Sequence, residues 1–451
     1  MGVPMFNDRF DEASEADILR YAAGLIGKSL AEVAELPARE LDRDRKGKGK
    51  GKGRLGNLVE EYYFGYKPNS NPEPDFPKAG LELKVTGLKS ASPNPIKAKE
   101  RLVLNMINFQ EIVNETFETS SFYKKCQKIL ILCYLYDKSK LEVDQIFTEN
   151  QFIFRLVEQE LSVIKRDWEL IQEKVKAGLA HEISEGDTFY LKANRKGAGG
   201  EKDLTEQPNS VTKANRRSWS FNNGFLTALI EDAGANYGSL EINRDETFEQ
   251  ATSRRIGKYL GKPSQDLFEQ FGLLRDGVKQ SKSARYDLLV KILSDGGSSV
   301  KELKKAGIRL KTIRLKSTGR TREAMSFQSF DYCEIVNQEW EESDFSQTLE
   351  DKFLFAVFQE DSEGVERFVK AEYWNMPYQD RLKAQEVWEE TRLRIERGNY
   401  EFPQSSESQV AHVRPHARNA QDKIMCPDGE MRMKRSFWLN QRYIEQVVAG
   451  L

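Results

Sequence analysis

The chain has 451 residues, 39% of them hydrophobic and 31% charged, with a mean hydropathy of −0.65 and a formal net charge of −2. This composition excludes a disordered polyelectrolyte, and no apolar run approaches the roughly 20 residues that a membrane helix needs. Near-zero net charge leaves no global field to attract DNA, so any nucleic-acid affinity must reside in local basic patches. The length predicts two domains. Four cysteines without a CxxC pair and only three histidines supply neither a zinc site nor histidine-centred nuclease chemistry. An N-terminus without a basic-then-apolar leader predicts a cytoplasmic protein.

In chain order, residues 15–35 carry helical periodicity that should end before Pro37. Residues 43–54 place seven basic side chains on a glycine-rich segment that is a poor helix and a ready phosphate contact, nominating Lys46, Lys48, Lys50, Lys52 and Arg54. The alternative is a solvated linker. A second helix is predicted over 55–64, and a turn-rich stretch follows to Pro74. Residues 80–87 alternate like a strand, and 129–136 form an apolar run typical of a strand buried on both faces. Residues 158–177 form a long polar helix around Trp168. The order of elements is that of an α/β fold. Residues 301–322 hold nine Lys or Arg against one Glu, a second candidate basic surface.

The chemistry concentrates in Asp75-Phe-Pro-Lys-Ala-Gly-Leu-Glu82-Leu-Lys84. On a strand Glu82 and Lys84 share one face, opposite Leu81, Leu83 and Val85, and Asp75 can fold back past Pro77 to the same edge. Two carboxylates and the Leu83 carbonyl make a hard oxygen set suited to Mg²⁺, an ion that keeps several waters. Lys84 would orient or help deprotonate a water and offset charge developing on phosphate. The competing reading is a surface ion pair on an exposed strand.

The chain also matches itself. Lys304-Lys-Ala-Gly-Ile-Arg309-Leu-Lys311 echoes the motif, with arginine in the glutamate's place and Glu302 in that of Asp75. Leu25-Ile-Gly-Lys matches Tyr259-Leu-Gly-Lys, Arg54 to Glu60 lies against Arg285 to Lys291, Trp168 against Trp388, and Arg217-Ser-Trp against Arg435-Ser-Phe. The order is kept while the offset falls from 234 to 218, which predicts a tandem duplication with its boundary near residues 235–245. In the second copy Glu60, Asp75 and Glu82 become Lys291, Glu302 and Arg309, and Lys84 is kept as Lys311. A cation in place of a metal ligand predicts a copy that does not cut. Trp168 and Trp388 read as core, His181 as surface, and Gly197 to Gly200 as a mobile DNA-facing loop.

With these motifs in hand, the chain resembles the MutH-like endonucleases of the PD-(D/E)xK superfamily, and among them the two-domain type II restriction endonucleases that cut at GATC. The resemblance runs nearly end to end, through the block at Lys99 to Phe109, Phe117 to Phe122, Gly224 to Leu229, Met325 to Phe327, His412-Val-Arg-Pro-His416 and Ser436-Phe-Trp-Leu439. It implies two PD-(D/E)xK domains, each a mixed central sheet flanked by helices: a catalytic domain over 1–238 and an inactive DNA-binding or effector domain over 239–451. It implies Asp75, Glu82 and Lys84 as the metal-binding and catalytic set, with a glutamate on the preceding helix. Spacing from Gly56 picks Glu60 for that role and counting back from Asp75 picks Glu61; Glu60 is preferred because an extra residue fits more easily in the loop beyond the helix. For base reading the resemblance nominates Lys196, with Asn194 where the family has arginine, and a second DNA-facing segment at Trp219 and Ser220. Arg414, His416 and Arg418 fall at the corresponding place of the second copy. The implied activity is Mg²⁺-dependent cleavage of double-stranded DNA before the G of GATC, with a possible dimer on DNA and a second DNA site on the C-terminal half. The alternatives are a strand-nicking mismatch-repair enzyme and a non-catalytic DNA-binding protein.

Overall fold

A computed structural model of the chain describes residues 9–45, 53–69, 71–91, 94–156, 158–197, 199–231, 239–243, 245–274 and 283–451. The first half contributes β1 (Glu82–Ala91), β2 (Asn94–Ala98), β3 (Leu102–Met106), β4 (Lys128–Leu135), β5 (Ile146–Arg155), β6 (Lys192–Arg195), β7 (Leu204–Thr205), β8 (Ala214–Asn215) and β9 (Arg217–Phe221). They pair as a mixed sheet β2-β1-β4-β5, a sheet β3-β9-β6 and a ribbon β7-β8, with β1 parallel to β4. The second half contributes β10 (Arg309–Leu315), β11 (Met325–Ser329), β12 (Phe353–Glu360), β13 (Glu366–Trp374), β14 (Ala411–Pro415), β15 (Lys423–Met425), β16 (Met431–Met433) and β17 (Arg435–Leu439). Its pairings are β10-β12-β13, β11-β17-β14 and β15-β16, with β10 parallel to β12.

The parallel pairs follow from composition. Ile129, Leu130, Ile131, Leu132 and Cys133 are all fully buried, as are Phe353, Leu354, Phe355 and Ala356, so β4 and β12 are covered on both faces. One face of β1 and β4 packs on the N-terminal helices through Leu83, Leu130 and Leu132. The other meets the helix Glu158–Lys176, whose Ile164, Trp168, Ile171 and Val175 recur at helical spacing. Trp168 and Trp388 are both buried. On the same helix the buried Asp167 accepts the main-chain N–H groups of Phe189, Tyr190 and Leu191 at 2.7–2.9 Å, which fixes the turn that launches β6.

The helix expected over 15–35 is broken. A helix Glu15–Ala22 ends in a short 3₁₀ turn, Gly27 turns the chain with φ of +75°, and its N–H goes to the Phe147 carbonyl at 2.9 Å instead of continuing the helix. The helix expected at 55–64 begins as Arg54–Leu58 and widens into a π-turn over Val59–Phe64. Residues 43–45, expected in an irregular segment, end a helix Ala38–Arg45. Of the boundary expected near 235–245, residues 235–238 and 244 lie outside the described residues. No described helix is long and apolar enough to cross a membrane.

One of three apolar clusters spans both halves. The cluster under β4 continues through Phe225, Phe248 and Leu288 to Leu354, Ala356 and Phe358 of β12. Phe189 stacks on Phe248 at 4.4 Å and meets Tyr373 edge-on at 5.2 Å. The helix Asn223–Ile230 also crosses the helix Lys301–Ala306 so closely that a Cβ on Gly224 would collide with the Lys304 carbonyl, while Asn222 donates to the Lys305 carbonyl at 2.6 Å. In an open helix Gly→Ala gains about 1 kcal/mol. Gly224→Ala is expected to lower stability by about 1–3 kcal/mol through overpacking, measured by urea denaturation; a gain would show that the crossing is looser than described.

Candidate active site

Phe76 and Leu81 pair as an isolated antiparallel bridge, so the segment between them doubles back and delivers Asp75 beside the first residues of β1. Asp75 Oδ2 accepts the Leu83 N–H at 2.8 Å, and the Asp75 N–H lies 3.3 Å from Glu82 Oε2. Glu82 is only 1% exposed, and Lys84 Nζ donates to its Oε1 at 2.5 Å. Asp75, Glu82 and Lys84 are therefore brought together.

Glu60 lies on the π-turn, a local widening of the helix that is common at functional sites. Burial, then the Asp75 carboxylate, pushes Glu60 up to about 7, with Glu82 adding and Lys84 and Lys125 opposing. Glu61 is not among the charges that chiefly act on Glu60 or Glu82; its charge acts on Arg39. Burial also pushes Glu82 up to about 7, against Lys84 and Lys125, with Asp75 adding. Burial pulls the Lys84 ammonium down, but Glu82 by charge and hydrogen bond outweighs it and leaves the group raised.

Lys125, not anticipated from the sequence, completes the cluster. It ends the short helix Ser121–Cys126, sits 3.6 Å from Glu82 Oε1 and donates to the Asn71 carbonyl at 3.1 Å. Its only sequence signal is a Lys124-Lys125 pair just before the buried strand. Among the described residues no group of three or more His, Cys, Asp or Glu side chains forms a ready metal cage. The donor set nonetheless fits a largely hydrated divalent ion: Asp75 and Glu82 are neighbouring carboxylates, and the Asp75 charge disfavours charge on both Glu60 and Glu82 when no cation is present.

The expected DNA contacts divide. Lys46, Lys48, Lys50 and Lys52 lie outside the described residues. Arg54 is not presented to phosphate: its side chain is 11% exposed and ion-paired with Glu40 at 3.1 Å and Glu142 at 3.4 Å, so two carboxylates hold it inside. Lys196 follows β6, half-exposed, its N–H donating to the Arg216 carbonyl at 2.8 Å. Asn194 is buried, with Oδ1 accepting from Ser218 and Nδ2 donating to the Arg195 carbonyl, both at 2.9 Å. Trp219 and Ser220 are likewise buried, Trp219 against Phe122. Arg414 and Arg418 are exposed, and the Arg414 guanidinium sits 4.9 Å from the Trp438 ring centre.

In the second half Arg309 opens β10 opposite Phe353, as Glu82 opens β1 opposite Ile129. It is ion-paired with Asp351. Burial and Arg309 lower Lys311. Glu302 does not stand where Asp75 does. A helix rather than a turn precedes β10, and from it Glu302 accepts from Ser239 Oγ and the Leu240 N–H at 2.9 Å each. Lys291 donates to the Gly296 carbonyl. The basic stretch 301–322 is also largely neutralised: Lys304 pairs with Glu231, Lys305 with Glu160, Arg314 with Glu366 and Arg322 with Glu360.

A family model described as DNA mismatch repair enzyme MutH matches residues 64–167 and 293–385. The first stretch carries Asp75, Glu82, Lys84 and Lys125, and the second carries Arg309 and Lys311. The DNA mismatch repair proteins MutH of Shewanella woodyi and Vibrio campbellii are each 28% identical, over 41% and 44% of this chain and 78% and 84% of their own lengths. Fold and matches together define a MutH-like nuclease. The type II restriction enzyme Sau3AI of Staphylococcus aureus is 30% identical over 87% of this chain and 91% of its own. The chain belongs to the MutH-like endonuclease family that includes this restriction enzyme.

Two outcomes are expected. Glu60→Gln should reduce DNA cleavage by about 10²-fold or more, the scale of a lost acid–base group, whereas Glu61→Gln should leave it near the parent rate in single-turnover assays; equal effects would remove the distinction drawn between them. Glu60 and Glu82, ordinarily near 4.5, keep their protons until about 7. The folded protein therefore holds protons that the unfolded chain has released, so metal-free stability falls as pH rises from about 4.5 towards 7. Divalent-ion affinity should conversely rise by about tenfold or more between roughly pH 6 and 8, with proton release, read by titration calorimetry in buffers of different ionisation heat.

Proposed function

We propose that the chain is a type II restriction endonuclease that hydrolyses phosphodiester bonds of double-stranded DNA at GATC, before the G, with Mg²⁺. The observation that carries this reading is the joining of Asp75, Glu82 and Lys84 at the start of β1, in a chain whose similarity to a type II restriction enzyme spans 91% of that enzyme. Asp75 and Glu82, with the Leu83 carbonyl, would hold the ion, which supplies Lewis acidity and an acidified water. Lys84 and Lys125 would offset the charge that gathers on the phosphate's non-bridging oxygens as the water oxygen bonds to phosphorus and the bridging P–O bond breaks, the sugar oxygen leaving with the electron pair and taking a proton from water. Glu60, at about 7, is matched to taking the water's proton near neutral pH.

The division of the chain into a cutting half, 1–238, and a non-cutting half, 239–451, derived by duplication of one PD-(D/E)xK domain, is supported by the repeated sheet pairings and the two family-matched stretches. The reading-loop scaffold recurs as well. Lys196 N–H to Arg216 carbonyl, 2.8 Å, has its counterpart in His416 N–H to Lys434 carbonyl, 2.9 Å, and Gly199 N–H to Asp203 Oδ2, 2.8 Å, in Arg418 N–H to Asp422 Oδ2, 3.0 Å. Lys196 would read bases in the first half, and Arg414, His416 and Arg418 would contact a second DNA site. One active site per chain faces two strands, so a double-strand break takes two chains on DNA or two successive nicks. Such an enzyme acts in the cytoplasm.

A plasmid of known sequence, digested with Mg²⁺ and mapped at its ends, should show discrete double-strand breaks at GATC. Nicks alone favour a strand-nicking repair enzyme, and intact but gel-shifted DNA favours a non-catalytic binder. Glu82→Ala should abolish cutting while leaving binding, and Arg309→Glu should create no second working site. Cleavage that survives Glu82→Ala sinks the assignment.

A further inference from the structure

The strands that frame the Lys196 loop end on a like-charge pair. Arg195 of β6 stands directly opposite Arg217 of β9 in the antiparallel register, an arrangement that is destabilising unless an anion bridges it. The anion comes from the other half. Glu350, at the end of the helix Asp344–Glu350, is ion-paired with Arg195 through Oε1 and lies 3.5 Å from Arg217 Nη1 through Oε2. Arg217 is 1% exposed and donates besides to the carbonyls of Ala193 and Ile183. A third cation, Arg381, closes the network and ties it to the Glu182 and Met376 carbonyls at 2.7 and 3.0 Å.

Among the described residues no first-half carboxylate duplicates this role. Glu185, the nearest to Arg217 in charge, is occupied by Arg101 at 2.5 Å. The end of the Glu350 helix also packs closely on the first half at Gly186, where a Cβ would lie 2.9 Å from the Glu350 and Asp351 carbonyls. Beyond Arg195 the loop leans on the second half again: Gly199 lies against Glu341, which is also 3.9 Å from Arg195.

We propose that Glu350 is a positioning residue for sequence reading: through Arg195 and Arg217 it sets the register of β6 against β9 and so the place of Lys196, making base discrimination by the cutting half depend on a carboxylate from the non-cutting half. This rests on the role of Lys196 given above. Loss of the bridge leaves two facing cations, one of them buried, and their repulsion acts on the residue next to Lys196.

The experiment compares the full-length parent, Glu350→Gln and Glu350→Asp in single-turnover cleavage with Mg²⁺ on short duplexes carrying GATC or its one-base variants, with thermal melting alongside. For Glu350→Gln the ratio of GATC to variant-site cleavage should fall about tenfold or more, the scale of one lost base contact, with KM for GATC rising more than kcat falls. Glu350→Asp should recover part of the ratio. If Glu350→Gln does not fold, Arg195→Gln removes the same bridge from its less buried end and should lower the ratio in the same direction. Folded Glu350→Gln or Arg195→Gln protein with the parent's ratio and KM overturns the inference. A parent that cuts without preference for GATC overturns the functional reading itself, and the inference with it.

Discussion

Burial of the parallel strand pair on both faces is the constraint from which the rest of the molecule follows. A strand covered on two sides accepts almost no polar side chains along its covered length, so β4 is apolar from Ile129 to Cys133 and β12 from Phe353 to Phe358. The partner strands β1 and β10 each carry two ionisable groups where they enter the sheet. Glu82 and Lys84 stand at the start of β1, and Arg309 and Lys311 at the start of β10. A charge held there loses much of its water and must be answered by neighbours. In the first half Glu82 is answered by two lysines, and in the second Arg309 is answered by Asp351.

Two buried glutamates show how neighbours decide what a carboxylate is for. Three arginines overcome burial at Glu350 and hold it at about 2, so its charge is permanent and its work is mechanical. Glu82 has two lysines but also Asp75 beside it, and stays near 7. The first is a fixed strut. The second keeps a proton that it can release near neutral pH.

Much of this was legible in the sequence where the determinants are local. The apolar run of β4, the periodic helix around Trp168 and the short spacing from Asp75 to Lys84 each state their geometry within about ten residues, because strand alternation and a turn suffice to bring the groups together. Features set by distant partners were not legible. Glycine-rich neighbours made Arg54 look like a phosphate ligand, yet Glu40 and Glu142 draw it inside. Glu302 matched Asp75 in alignment, yet a helix in place of a turn sends it to Leu240. Lys125 reaches Glu82 only because its helix packs over the sheet, and Asn194 is buried because β9 covers it. The pairing of Arg217 with Glu350 joins residues more than a hundred positions apart.

The core shared by the two halves has a consequence for genetics. Because Leu354, Ala356 and Phe358 belong to the same apolar cluster as Trp168 and Phe225, the second half is part of the folding unit of the first. A screen for clones that have lost cleavage would collect substitutions throughout the apolar positions of β12 and the helices before it, with no defect in any group that touches DNA. Scored by phenotype alone, such alleles would crowd the map of the second half and pass for a second catalytic centre. Soluble yield, measured beside activity, tells the two kinds of allele apart.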